Sequence, residues 1–241
     1  MPTSRKAGGK AARGRDSRSG RKRREGPAAP LTRELIVKTA LELVDREGLR
    51  ALSMRRLGAE LGVDPMAVYY YMPNKEALLD AIVEAVMGAI DLSVDHEDEP
   101  AEERVMHAAH AYRDVLLAHA NALPILLTHG PATPAALRPV ELLIGILRDA
   151  GLAPAKALAG MNAIAAAVRG VAGMLAAGEG ERPTREEIDA MAQNIPAGEF
   201  PHLWETMPYA GEFCDRGFDF GIRALARGLI AEAKGGEMSK I

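Results

Sequence analysis

From Leu31 onward apolar positions recur three and four residues apart with polar residues between them, the pattern of amphipathic helices. Thr32 is a good N-cap, Ile36, Ala40, Leu43 and Val44 share one face, and Gly48 suits a C-terminal stop, so a first helix is expected over about 32–47. Ser53 caps a short second helix, with Met54, Leu57 and Leu61 facing inward and Gly62 at the turn. Asp64 followed by Pro65 is an N-cap with proline at the first helical position; it opens a third helix of about eight residues that Pro73 ends. A fourth runs from near Asn74 to about Ile90, before the acidic stretch of Asp95, Glu97, Asp98, Glu99 and Pro100 breaks the chain.

Further helices are expected at about 101–119, 122–128, 134–150, 154–177, 184–194 and 212–233. No segment alternates with a period of two and no repeat of fixed length is present, so the fold expected is all-α. The Gly-, Pro- and Glu-rich stretches 178–183 and 195–201 are expected to be mobile loops.

Composition narrows the setting. With 48% apolar residues in 241, the chain can build a packed core, and its single cysteine, Cys214, cannot close an intramolecular disulfide. No Cys/His spacing resembles a structural zinc site, and a reducing, cytoplasmic compartment is expected. The N-terminal stretch is basic but lacks the apolar run of a secretory signal. Two weakly charged runs, 115–137 and 157–178, are broken by His119, Asn121, His129, several prolines and Arg169, so no membrane span is expected.

The net charge of -3 hides a segregation. Residues 1–30 hold ten basic residues against Asp16 and Glu25, a balance of +8, which leaves -11 on residues 31–241. The first 30 contain no Leu, Ile, Val, Phe, Tyr or Trp, so they have little to bury and are expected to be a disordered basic arm whose partner is a polyanion. A solubilising tail or a misplaced start is the plainer reading of the same residues.

Three short helices within 50 residues, with a tight Leu61-Gly62-Val63-Asp64 turn between the second and third, fit helix-turn-helix geometry. Val68 and Met72, four apart, can pin the third helix to a core, which leaves Pro65, Met66, Ala67, Tyr69, Tyr70 and Tyr71 outward. Three consecutive tyrosines sweep about 200° of a helix, so at least two cannot be buried in so short an element. Exposed phenol hydroxyls suit phosphate contacts, and their rings, with Met66 and Ala67, suit thymine methyl groups. Lys75 supplies charge at the next helix's N-terminus, and Arg55 is the residue here suited to grip a guanine edge. The alternatives are an aromatic patch packed on the fourth helix and ordinary solvated charge at Arg55 and Arg56.

The stretch Leu31 to Val86, above all LSMRRLGAELGVDPMAVYYYMPNKEALLDAI, resembles the DNA-binding domain of the TetR family of bacterial transcriptional regulators. Gly62, Val63, Tyr69, Asn74, Lys75, Leu78 and Leu79 carry the family's GVxxxxxYxxxxNKxxLL pattern. The resemblance implies that Ser53, Arg55, Pro65, Met66, Ala67, Tyr69, Tyr70, Tyr71 and Lys75 face double-stranded DNA. It also implies an all-helical homodimer on a palindromic operator, usually a repressor, released when a small molecule enters the C-terminal domain. On this basis three parts are expected: the arm at 1–30, a DNA-binding domain at 31–90 that includes a connecting helix at 74–90, and an effector-binding and dimerisation domain at 101–235. The run Tyr112 to Gly151 and the end Phe213 to Leu229 are similar to the tetracycline repressor subgroup. There the alignment on Pro131 puts Leu126 at the magnesium-ligating histidine's place, with no carboxylate on the following long helix, which argues against a metal-chelated effector. A shifted alignment brings in His129, three residues on.

The last helix carries three stripes: Phe218, Ile222, Leu225 and Leu229; Gly217, Gly221, Ala224 and Gly228; and Arg216, Asp219, Arg223 and Arg227. One apolar stripe docks a helix on its own domain, so the small-residue stripe calls for a second close partner. A glycine inside a helix costs about 1 kcal/mol against alanine, which tight packing must offset. Ala163, Ala167, Gly170 and Gly173 repeat the pattern on the helix at 154–177, and the two helices from each of two subunits would form a four-helix interface. Tight packing inside one monomer is the competing explanation.

For an effector, Asn162 and Arg169 share a face of an otherwise apolar helix, and His110, Arg113, Met161, Met174 and Trp204 are further candidates for a largely apolar ligand. His107 and His110 have a spacing open to a metal but no third ligand, so no metal and no cofactor is expected. An enzyme is disfavoured because Gly-x-Ser-x-Gly, His-Glu-x-x-His, a phosphate loop and paired inward carboxylates are all lacking. A constitutive or architectural DNA-binding protein without a ligand is the second functional reading.

Overall fold

Local signals set the first four helices. The Thr32 hydroxyl accepts from the Leu35 N–H and starts α1, Arg33–Glu47. Gly48, at φ +80°, stops it in the left-handed region that glycine enters without strain. After a 3₁₀ turn at Leu49–Ala51, Ser53 accepts from the Arg56 N–H to cap α2, Met54–Leu61. Gly62, at φ +69°, turns the chain, and the Asp64 carboxylate accepts from the Met66 N–H to open α3, Pro65–Tyr71. Asn74 likewise accepts from the Ala77 N–H and caps α4, Lys75–Gly88. Each capping oxygen satisfies an N–H that the helix itself leaves without a partner.

The chain continues through α5 (Ala101–Ala118), a second 3₁₀ turn (Ala120–Ala122), α6 (Leu123–Thr128), α7 (Pro134–Asp149), α8 (Pro154–Ala176), α9 (Arg185–Gln193), α10 (Pro201–Thr206), a third 3₁₀ turn (Met207–Glu212) and α11 (Asp215–Met238). This is a computed structural model, which describes residues 30–177, 184–212 and 215–238. The basic arm except Pro30, the 178–183 stretch and Cys214 lie outside the described residues. Among the described residues there is no strand, and the protein is all-α with a helix-turn-helix unit at its N-terminal end.

Some short helical elements depart from the sequence pattern. The 3₁₀ turn at Leu49–Ala51 and the α10 segment with its following 3₁₀ turn were not expected, because six residues or fewer show no apolar period and Pro201 is the sole start signal. Residues 195–200 are turn and coil.

One apolar core runs from Ile36 in α1 to Ala226 in α11. α4 is its bridge, with Leu78, Ile82 and Val86 fully buried as it packs on α1 on one side and on α7 on the other. α5 packs against α8 and α11, and α7 against α8. Polar contacts reinforce the same junctions. Arg33 donates to Glu84 at 3.1 Å between α1 and α4, and the His119 ring and Asn121 amide both meet Asp45 of α1, the first at its carboxylate and the second at its carbonyl, each at 2.8 Å. Arg104 is buried and donates to Asp95 at 2.8 and 2.9 Å and to Asp149 at 3.3 Å, which joins α5 to the loop before it and to the end of α7. Residues 31–241 form one compact unit.

Among the described residues α8 has the length and apolar composition to cross a membrane, but Ile164, Val168 and Ala172 place one of its faces in the core.

Candidate DNA-binding surface and effector cavity

Val68 and Met72 are buried to 1% exposure or less and hold α3 against the core. The rest of α3 is turned outward: Met66 is 72% exposed, Tyr70 85%, Tyr69 41% and Tyr71 38%. Tyr70 and Tyr71 meet edge to face, with ring centroids 5.2 Å apart. The tyrosines therefore stand on the surface instead of packing on α4. Half-buried Pro65 and Ala67 complete the face.

Two neighbouring arginines on α2 differ in their engagements. Arg56 is held by Glu47 at 2.9 Å and Glu60 at 3.4 Å, in a network that Arg46 shares. Arg55 is exposed and makes no hydrogen bond or ion pair among the described residues, so its whole fork of donors faces outward. Ser53 spends its acceptor on the Arg56 N–H and keeps its own hydroxyl proton to donate. Lys75 reaches back across the turn to the Leu52 carbonyl at 3.0 Å, which ties the first residue of α4 to the entrance of α2; its other two ammonium hydrogens remain.

The helical body holds a cavity of about 100 Å³ walled by α4, the α4–α5 connection, α5, the α6–α7 loop, α7 and α8. Val83, Met87, Val140, Ile164 and Val168 give it an apolar wall. Its polar groups are Tyr112, His129, Arg169 and, on the exposed connection, Asp91. Burial pushes the Tyr112 phenol up from its ordinary pKa, and the positive charge of Arg169 offsets part of that. Arg169 donates through Nε to the Ala165 carbonyl at 3.2 Å. His129 bridges Thr128 and Glu76, each at 2.9 Å. Leu126 lines the wall beside it. Among the described residues no group of three His, Cys, Asp or Glu is placed to hold a metal.

Of the effector residues expected from sequence, Met161 and Arg169 line this cavity. His110 and Arg113 do not: they turn toward α11, where the His110 ring meets Phe218 at 5.2 Å and Asp219 at 2.9 Å, and the Arg113 guanidinium lies 4.6 Å from the Phe218 ring centre. Asn162 and Met174 are exposed, and Trp204 lines a separate hollow of about 280 Å³ with Arg185, Ile188 and Met207. Tyr112 was not among the expected residues, and His129 entered only as a neighbour of the position that Leu126 fills. The spacing of Val105, Ala109, Tyr112 and Leu116 was the available signal, since it places Tyr112 on the inward face of α5.

On α8, Ala163 and Gly170 are exposed and Ala167 and Gly173 half-buried; on α11, Gly221, Ala224 and Gly228 are exposed and Gly217 half-buried. A Cβ added at Gly170, Gly173, Gly221 or Gly228 would meet nothing within 4 Å of this chain. Packing within the monomer therefore does not account for these four glycines. Phe220, 78% exposed, stands next to Gly221.

A helix-turn-helix with an outward aromatic face, backed by a helical body with an internal cavity, defines a DNA-binding regulator. Comparison with known proteins makes this specific. Residues 36–82 match the model of the bacterial regulatory proteins, tetR family, and residues 95–233 match the tetracyclin repressor-like C-terminal domain. The chain belongs to the tetR family of transcriptional regulators. An HTH-type transcriptional regulator of Saccharopolyspora erythraea is 32% identical over 84% of this chain and 86% of its own length. The class C tetracycline repressor protein of Escherichia coli is 31% identical over 83% of this chain and 90% of its own. The solved structure of ActR from Streptomyces coelicolor in complex with actinorhodin superposes with a TM-score of 0.72 at 30% identity, over 85% of this chain and 97% of that one.

Proposed function

We propose that the protein is a cytoplasmic repressor that binds a palindromic operator as a homodimer and is released by a small, largely apolar effector. The observation that carries the reading is the position of α4: it follows α3 after three residues, its Lys75 is tied to the Leu52 carbonyl at the entrance of α2, and Val83 and Met87 further along it form part of the cavity wall. A ligand shifts an equilibrium only through its differential affinity for the states, and a helix shared by both sites supplies the differential contacts. At about 100 Å³ the cavity is smaller than the ~300–1,000 Å³ of drug-sized ligand sites, so a ligand of that size must widen it and move its walls. ActR, a relative by structure, takes actinorhodin.

In this reading Ser53, Arg55, Pro65, Met66, Ala67, Tyr69, Tyr70, Tyr71 and Lys75 meet DNA, with Arg55 on a base edge and the tyrosine hydroxyls and Lys75 on phosphates. The exposed glycines of α8 and α11 support close approach of a second copy, which sets two α3 helices about one DNA turn, ~34–36 Å, apart. Residues 1–30 act as a basic arm on the DNA backbone, 31–90 as the DNA-binding part and 101–235 as the effector and dimer part. The +8 charge of residues 1–30 supports association with the nucleoid.

Fluorescence anisotropy of labelled DNA from the gene's own upstream region, titrated in excess competitor DNA, tests the reading. Saturable, competitor-resistant binding by two subunits is expected, together with release by some member of a metabolite panel that also raises Tm. Tight operator binding with no stabilising ligand favours the constitutive or architectural reading. Removal of residues 1–30 is expected to flatten the salt dependence, because each neutralised phosphate adds ~0.9 to the slope of log affinity against log salt.

A further inference from the structure

Arg169 is an uncompensated charge in an apolar wall. Its guanidinium makes one hydrogen bond, to the Ala165 carbonyl, and has no carboxylate within ion-pair distance among the described residues. Other arginines of the body that contact the interior are matched: Arg104 by Asp95 and Asp149, and Arg223 by Glu102 and Glu103. The cavity does contain one carboxylate, Asp91, but it is exposed, it accepts from both the N–H and the hydroxyl of Ser93 at 2.9 and 2.7 Å, and it forms no ion pair with Arg169. Beside Arg169 sits the Tyr112 phenol, whose hydroxyl has no hydrogen-bond partner among the described residues. A phenol holds its proton at neutral pH, so this hydroxyl can donate.

A cation in an apolar site gains most from an anionic partner, and a guanidinium fork matches the two oxygens of a carboxylate. We propose that the effector is an apolar carboxylic acid, whose carboxylate is gripped by Arg169 with Tyr112 donating to the same group while its hydrocarbon body lies against Val83, Met87, Ile164 and Val168. The proposal rests on the reading of this cavity as the effector site. Specificity then comes from one charge at the α5–α8 side and leaves the remaining walls free to select shape.

Matched acid and neutral probes test it: 2-naphthoate against 2-naphthamide, and dodecanoate against dodecanol, each measured by calorimetry and by shift in Tm on the full chain. The acids are expected to bind about tenfold or more tightly than their neutral counterparts, the value of a charge-assisted contact. Arg169→Met should bring the ratio close to one while neutral binding survives, which also shows that the variant folds. Arg169→Lys should retain a preference for acids, and Tyr112→Phe should reduce it several-fold. Neutral probes that bind as well as acids overturn the charge assignment and leave the cavity as effector site. Failure of every probe, with failure of the metabolite panel, overturns both readings.

Discussion

His129 Nε2 lies 2.9 Å from Oε2 of Glu76, so the wall of the cavity is tied to the first turn of α4. Glu76 is otherwise largely solvated, which makes this contact its anchoring partner. The next residue back, Lys75, holds the Leu52 carbonyl at the entrance of α2, and Asn74 caps α4 itself. A ligand that displaces His129 therefore pulls on a short polar route that ends beside α2, at the proposed DNA-binding surface.

His129→Ala, which also removes a cavity-lining group, and Glu76→Gln, which does not, are each expected to weaken the effect of operator and cavity ligand on one another, Glu76→Gln with both affinities nearly intact. Allosteric coupling is typically ~5–150-fold, and both variants should bring it toward none. Anisotropy titrations with and without the ligand found by thermal shift measure this. Coupling at the level of the unmodified protein would reduce the contact to a surface ion pair.

On the proposed DNA face, exposure and engagement predict opposite outcomes for adjacent residues. Arg55→Ala should relax discrimination at one base pair by about tenfold to a hundredfold with an unchanged Tm, because Arg55 has no partner among the described residues to lose. Arg56→Ala should leave base preference alone and disturb only the Glu47 and Glu60 network. Tyr70→Ala should weaken operator binding without loss of stability, since its ring is 85% exposed. Binding to a set of single-base operator variants separates these effects.

The beginnings of the first four helices were legible in the sequence because capping is local: Thr32, Ser53, Asp64 and Asn74 each bond an N–H two or three residues on. The inward face of α3 was also legible, since Val68 within it and Met72 at its C-cap sit four apart. The cavity was not. In a bundle every face of a central helix can meet another helix, and which neighbour it meets is decided by tertiary packing. His110 and Tyr112, two residues apart, lie about 200° apart round α5, so one meets Phe218 and the other the cavity. Arg169 was found because a lone charge among alanines and valines is a conspicuous signal; His129 was visible only as a neighbour of the position that Leu126 fills.

The open glycines make a prediction of sign. In an isolated helix each Gly→Ala change gains about 1 kcal/mol, and at Gly170 and Gly221 there is room for the added methyl within the chain. A double Gly170→Ala, Gly221→Ala protein should then show a more stable monomer if these faces are solvated. Close helix approach in a dimer predicts weaker association instead, read as a higher dissociation constant by analytical ultracentrifugation. Gly221→Arg should give folded monomers that lose cooperative operator binding. A dimer as tight as the unmodified one would move the interface elsewhere.

Asp95 and Arg104 predict the acid behaviour of the body. Arg104 hydrogen bonds hold the Asp95 carboxyl below the usual carboxylate range, and Asp95 in turn raises the already high pKa of Arg104. Both side chains are about nine-tenths buried. Removing one member of a buried pair strands the other, at a cost of about 3 kcal/mol or somewhat more, and the remaining partner, Asp149, is two-thirds exposed and at 3.3 Å. Asp95→Asn should therefore lower Tm at pH 7. Because the folded pKa lies below the unfolded value of ~3.9, this stabilisation is fully present above the unfolded value and is lost as pH falls through the folded one. The gap in Tm between Asp95→Asn and the unmodified protein should hold constant from pH 7 to about 5 and narrow below about 4. A gap that stays level through acid pH would assign the loss to packing, with the charge of Asp95 playing no part.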